Sequence, residues 1–107
     1  MDTGIRHDVI LARFRRSLEA LYGNRLSRVV LFGSRARGDA GADSDYDVAV
    51  FLNSMEDRWA ELDRLALLRV AVLDETGAFF DAKPYLAEAY NERTPLMHEI
   101  REEGIDL

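Results

Sequence analysis

Gly33-Ser34-Arg35-Ala36-Arg37-Gly38-Asp39-Ala40-Gly41-Ala42-Asp43-Ser44-Asp45-Tyr46-Asp47 is the stretch on which the reading of this chain turns. The apolar run Val29-Val30-Leu31-Phe32 leads into it and Val48-Ala49-Val50-Phe51-Leu52 leads out. The pattern is a strand, a Gly-Ser turn, a polar loop, and a second strand that opens with carboxylates at i and i+2. Side chains two apart on a strand share a face and lie about 6.5–7 Å apart along it. Asp45 and Asp47 can therefore converge on divalent cations, which in two-metal sites lie ~3.5–4 Å apart. A Gly-Ser turn after a buried strand can offer backbone N–H groups and a hydroxyl to a phosphate. Together these are the minimum equipment for nucleotidyl transfer.

Outward from this stretch the chain reads as an α/β (α+β) fold with three strands. Residues from about Thr3 to Tyr22 carry Ile5, Val9, Ala12, Ile10, Phe14, Leu18 and Leu21 at helical spacings, and Gly23-Asn24 closes that helix. His7 and Asp43 read as solvated. Arg28 to Phe32 and Tyr46 to Leu52 are strands, with Tyr46, Val48, Val50 and Leu52 on one face and Asp45, Asp47, Ala49 and Phe51 on the other. Ser34 is placed to cap a short turn over Arg35-Ala36-Arg37. A helix is expected from Asn53-Ser54 to about Glu75, buried through Trp59, Leu62, Ala66, Val70 and Leu73 with Leu65 and Val72 beside them. Ala78 to Leu86 is the third strand, where Pro84 predicts a sheet edge. A charge within that strand, Asp81, is costly unless it is paired, metal-bound or at an open edge. Thr94-Pro95 opens a last helix that docks through Leu96 and Ile100, and Ile105-Asp106-Leu107 is a short tail.

The 107 residues predict one domain, 1–107. There is no cysteine, which excludes disulfides, thiolate metal sites and thiol nucleophiles. No apolar run has signal-peptide or transmembrane character, so the cytoplasm is the expected compartment and no membrane partner is expected. The net charge is −6, unevenly spread: eight Arg against three acids in residues 1–37, then six Lys and Arg against seventeen acids. That balance argues against nucleic acid as a direct ligand, while the basic opening can still focus a triphosphate locally.

Gly33-Ser34, ten residues, then Asp45-x-Asp47 resembles the signature of the nucleotidyltransferase superfamily with the DNA polymerase β-like palm. Leu31-Phe32-Gly33-Ser34-Arg35-Ala36-Arg37-Gly38, Ser44-Asp45-Tyr46-Asp47-Val48 and the Arg101-Glu102-Glu103-Gly104 ending are similar to the minimal nucleotidyltransferases, the antitoxin partners in HEPN/MNT toxin–antitoxin pairs. This resemblance implies a palm-like, three- to four-stranded mixed sheet with helices mainly on one face. It implies that Gly33 and Ser34 hold nucleotide phosphates and that Asp45, Asp47 and Asp81 are the catalytic carboxylates and ligands of two Mg²⁺ ions. Arg35 and Arg37 are candidate forked donors to the triphosphate of ATP, or solvated. The implied activity is transfer of AMP from ATP to a hydroxyl, a tyrosine of a partner HEPN toxin, in a hetero-oligomer. Two alternatives stand beside it: a non-catalytic antitoxin that neutralises a HEPN ribonuclease by contact, and a nucleotidyltransferase subunit for a small-molecule acceptor or an RNA end.

Overall fold

A computed structural model describes residues 8–41 and 44–107. The expected helix start at Thr3, His7 and Asp43 lie outside the described residues. Among the described residues, four strands and four α-helices follow in the order α1 (Val9–Tyr22), β1 (Leu26–Phe32), α2 (Ser34–Arg37), β2 (Tyr46–Leu52), α3 (Arg58–Thr76), β3 (Phe80–Leu86), α4 (Pro95–Glu103) and β4 (Ile105–Asp106), with 3₁₀ turns at Gly23–Arg25 and Ala87–Asn91. The sheet order is β3-β2-β1-β4. β1 pairs antiparallel with β2 and β4, and β2 pairs parallel with β3. The parallel step is the one that α3 crosses, as parallel pairs require.

The alternation of β2 separates two cores. Tyr46, Val48, Val50 and Leu52 pack with Phe14 and Leu18 of α1 and Leu65 and Val72 of α3. Ala49 and Phe51 pack with Val30 and with Met97 and Ile100 of α4. The two long helices thus share one face and the short α4 covers the other. Gly104, after α4, has no room for a side chain: a Cβ there would come within 2.4 Å of Val30 Cγ1.

β3 lies at the margin, as Pro84 predicts, and its free side is blunted. Arg69 Nε donates to the Phe80 carbonyl and Arg58 Nη1 to the Pro84 carbonyl. Both carbonyls point away from β2, and Pro84 has no N–H to offer.

Four local expectations are corrected. α3 begins at Arg58, not near Asn53, because Asp57 caps it by accepting from the Trp59 and Ala60 N–H groups. Its buried side is Glu61, Leu65 and Val72, whereas Trp59, Ala66 and Val70 are exposed. α4 docks through Met97 and Ile100, with Leu96 37% exposed. The tail is β4, where Leu107 N–H continues the pairing to the Val29 carbonyl.

Candidate active site

The Gly-Ser turn and the carboxylates meet at one end of the sheet. Asp47 sits opposite Phe32 of β1 and, on its other side, opposite Asp81 of β3. Paired residues on neighbouring strands share a face, about 4.8 Å apart from strand to strand. Asp47 and Asp81 therefore stand side by side on the α4 face, and Asp45, two residues earlier and exposed, stands at the rim of that face.

Gly33 makes the close approach possible. Its φ is +75°, a left-handed conformation disfavoured for residues with a Cβ. A Cβ there would lie 2.3 Å from Asp47 Oδ2. The Asp47 carboxylate is therefore pressed against the backbone that turns into α2. Gly33, not Ser34, occupies the N-cap position, and Ser34 is the first residue of the helical turn. The Ser34 carbonyl accepts from the N–H groups of Gly38 and Asp39, which closes the loop behind the turn.

Burial pushes the Asp47 carboxyl above its ordinary range, and the charges of Asp81, Asp45 and Glu99 push it further, with Lys83 opposing. The ion pair of Lys83 Nζ with Asp81 Oδ2 is long, 3.9 Å, and both side chains are about half exposed. The carboxylates at this end thus carry more negative charge than the protein offsets. Among the described residues, no group of three His, Cys, Asp or Glu side chains is drawn tight enough to cage a metal ion. Asp45, Asp47 and Asp81 share a face and an electrostatic field rather than a finished coordination sphere. The donor set nevertheless fits a hard divalent cation: carboxylate oxygens, an excess of negative charge, and a glycine that leaves space for an acid pressed against it.

Glu99 was invisible to the sequence reading. It becomes visible once Met97 and Ile100 fix which side of α4 meets the sheet. Glu103, one turn on, is 3.7 Å from Arg37 Nη1. Arg37 also reaches Asp39 through Nε at 3.2 Å, so Asp39 is exposed but paired. Arg35 is engaged differently. Its Nε and Nη2 donate to the Ser44 carbonyl at 2.9 and 2.7 Å, and its guanidinium lies 3.9 Å from the Tyr46 ring centroid. Ser44 and Tyr46 flank Asp45, so Arg35 fixes the backbone on both sides of that carboxylate. Tyr46 is itself anchored. It stacks on Phe80, which stacks on Phe14, and its hydroxyl donates to Asp8 Oδ2. Asp8 in turn caps α1 through Oδ1.

Two cavities lie near the strand ends. One of about 410 Å³ is lined by residues that include Arg35, Ser44, Tyr46 and Phe79, on the α1 and α3 face of β2. The other, of about 350 Å³, surrounds Arg25, Glu61 and Arg64 at the opposite end of the sheet. Neither is lined by Asp45, Asp47 or Asp81.

The family model described as nucleotidyltransferase domain matches residues 11–104. A protein of Methanocaldococcus jannaschii described as a candidate protein adenylyltransferase is 39% identical over 46 residues, 43% of this chain and 46% of that protein, so the match spans about half the length of that relative. A solved toxin–antitoxin structure with AMP-PNP superimposes with a TM-score of 0.62 at 20% identity, over 88% of this chain and 69% of that one. A complex of tri-AMPylated HEPN toxin with MNT antitoxin from Shewanella oneidensis gives a TM-score of 0.54 at 18% identity, over 91% of this chain and 70% of that one. At such identities the structural likeness speaks for the fold. Among the described residues no helix is long and apolar enough to cross a membrane.

Proposed function

This chain belongs to the nucleotidyltransferase domain family, and on that footing we propose that it is a Mg²⁺-dependent protein adenylyltransferase of the cytoplasm. It would transfer AMP from ATP to a tyrosine hydroxyl of a HEPN-domain toxin and act as the antitoxin of that pair. The observation that carries the reading is the Asp47 carboxylate lodged against Gly33 with Asp81 beside it in register. The tri-AMPylated HEPN toxin bound to a structural neighbour supports the choice of acceptor.

In this reading Asp45, Asp47 and Asp81 hold two Mg²⁺ ions, and Gly33 and Ser34 receive the ATP phosphates. Bound Mg²⁺ supplies charge stabilisation at phosphoryl oxygens and lowers the pKa of the attacking hydroxyl. The protein's own contribution is placement. Arg35 keeps Asp45 at the rim by holding Ser44 and Tyr46. Arg37, about two-fifths exposed, is the forked cation free to turn from Asp39 and Glu103 toward a triphosphate. Asp81, half-exposed at the sheet edge, takes the proton of an incoming hydroxyl in this reading.

The test is incubation with labelled ATP, Mg²⁺ and the HEPN-domain protein encoded beside this chain. Label on a partner tyrosine with wild type, absent with Asp45→Ala/Asp47→Ala, is the expected result. Neutralisation of the partner without label transfer would end the enzymatic reading and leave an antitoxin that acts by contact.

A further inference from the structure

The outward side of α3 carries an apolar stripe. Trp59 is 77% exposed and Val70 56%, with Ala66 exposed between them, and Leu67 at the margin is 74% exposed. The face continues past the helix end to Phe79, 58% exposed, and includes a groove of about 340 Å³ lined by Ala66, Val70, Leu73, Phe79 and Phe80 together with Arg69. Positions 59, 66, 70 and 73 follow the helical period as regularly as the core side does. Scattered exposed apolar residues need no explanation, whereas a contiguous stripe of this kind marks an interaction surface.

Charge defines the occupant. Asp63 and Asp74 are exposed beside the stripe. Of the arginines of α3, Arg58 is engaged with a carbonyl of β3 and Arg64 with Glu61, while Arg69 lines the groove with its Nε on the Phe80 carbonyl. The stripe is therefore apolar, with Asp63 and Asp74 along one margin and the carbonyl-bound Arg69 at the groove. A second copy of this chain would set acid against acid there, in a protein of net charge −6. We propose that the α3 stripe is the docking surface for the acceptor protein, which meets it with an apolar patch bordered by Lys or Arg. This inference rests on the protein-acceptor reading above. The stripe runs toward the end of the sheet that carries the site, whose Asp47 and Asp81 stand on the opposite, α4 face. The Phe79 carbonyl accepts from the Tyr46 N–H, so Phe79 stands next to Asp45 in space and two residues from Asp81 in sequence. A protein seated on α3 and reaching round the β3 edge would bring a hydroxyl to the rim where the carboxylates lie.

The experiment measures binding of the neighbouring HEPN-domain protein, and AMP transfer to it, by wild type, Val70→Glu, Phe79→Glu and Asp63→Lys/Asp74→Lys. Wild-type binding weakened ~10-fold or more by each apolar-to-acid change is expected, with KM raised and kcat nearly kept. The charge reversal should also weaken binding and flatten its dependence on salt. These positions are exposed, so melting temperatures should stay close to wild type. Tight wild-type binding that all three variants retain within about twofold would overturn the docking site while leaving the proposed function standing. A wild-type dimer in sedimentation that Val70→Glu dissolves, with partner binding untouched, would assign the stripe to a second copy and overturn it equally. Absence of any complex with wild type would remove the acceptor reading, and this surface with it.

Discussion

Asp47 and Glu61 are two sheltered carboxylates near opposite ends of β2, and the fold treats them in contrary ways. Glu61 is buried, with 4% of its side chain exposed, and two arginines clasp it: Arg25 Nη2 at 2.5 Å and Arg64 Nη1 at 2.9 Å. Burial pulls its carboxyl upward, but the hydrogen bonds and charges of Arg25 and Arg64 outweigh that and hold it below the ordinary range. Arg25 also donates to the Ser54 carbonyl, so this cluster ties the loop after β2 to the start of α3. Asp47 has acidic neighbours, and its carboxyl is driven upward. A carboxylate whose charge is offset belongs to the architecture. One left crowded by like charges is held at a cost that stability does not repay, and such crowding is a mark of function.

The contrast is sharpest under substitution. Asp47→Asn should reduce AMP transfer by ~10³-fold or more, the scale expected when a group needed in the transition state is removed. The same change should leave the melting temperature unchanged or higher, because it relieves repulsion. A Asp47→Asn protein that unfolds markedly earlier than wild type would place Asp47 in the same class as Glu61. Gly33→Ala comes next. The added Cβ meets Asp47 Oδ2 and must adopt a left-handed φ, so both a loss of about 1–2 kcal/mol and a large fall in transfer rate are expected, read by denaturant unfolding and the labelled-ATP assay.

Glu61→Ala should do the reverse, with transfer retained and stability reduced. Removing one partner of a buried pair costs about 3–5 kcal/mol. Here the arginine side chains are 37% and 49% exposed and can return to water, so about 1–3 kcal/mol is expected.

The pH response follows in sign. The folded pKa of Glu61 is lowered, so its contribution is present above the unfolded value of about 4.3 and is lost as pH falls through the lower folded value. Acid unfolding followed by circular dichroism should show a steep limb in wild type and a flatter one in Glu61→Gln. The smallest effect is at Tyr22. Burial first, and then Glu61, push its hydroxyl up to about 12. Its neutral form stabilises the fold fully below the ordinary tyrosine range, and that share is lost as pH rises toward 12. Absorbance titration of Glu61→Gln should show one tyrosine ionising earlier than in wild type.

Much of the sheet was legible because strand alternation is strict. Tyr46 to Leu52 has its predicted bounds, and Pro84 correctly predicts an edge. The helices were less legible, since periodicity shows that a helix has an apolar side without showing which side faces inward. α3 has two: Leu65, Leu68 and Val72, and Trp59, Ala66, Val70 and Leu73. Both follow the helical period, and the first is the buried one. β4 rests on pairing with β1 across most of the chain, which no local pattern carries. At the site, spacing placed Asp45 and Asp47 near the Gly-Ser turn and the family resemblance singled out Asp81, whereas its position beside Asp47 is set by the pairing of β2 with β3. Glu99, and the hold of Arg35 on Ser44 and Tyr46, depend on how α4 and the loop before β2 pack, which is tertiary information.

The guanidinium groups that occupy the outer carbonyls of β3 have a further consequence. A stray extended peptide meets two occupied carbonyls and a proline without an N–H at that margin, and at the other margin β4 is two residues long. Both described borders thus disfavour edge-to-edge accretion into fibres. That tilts assembly toward contacts made by side chains, where surface chemistry selects the visitor.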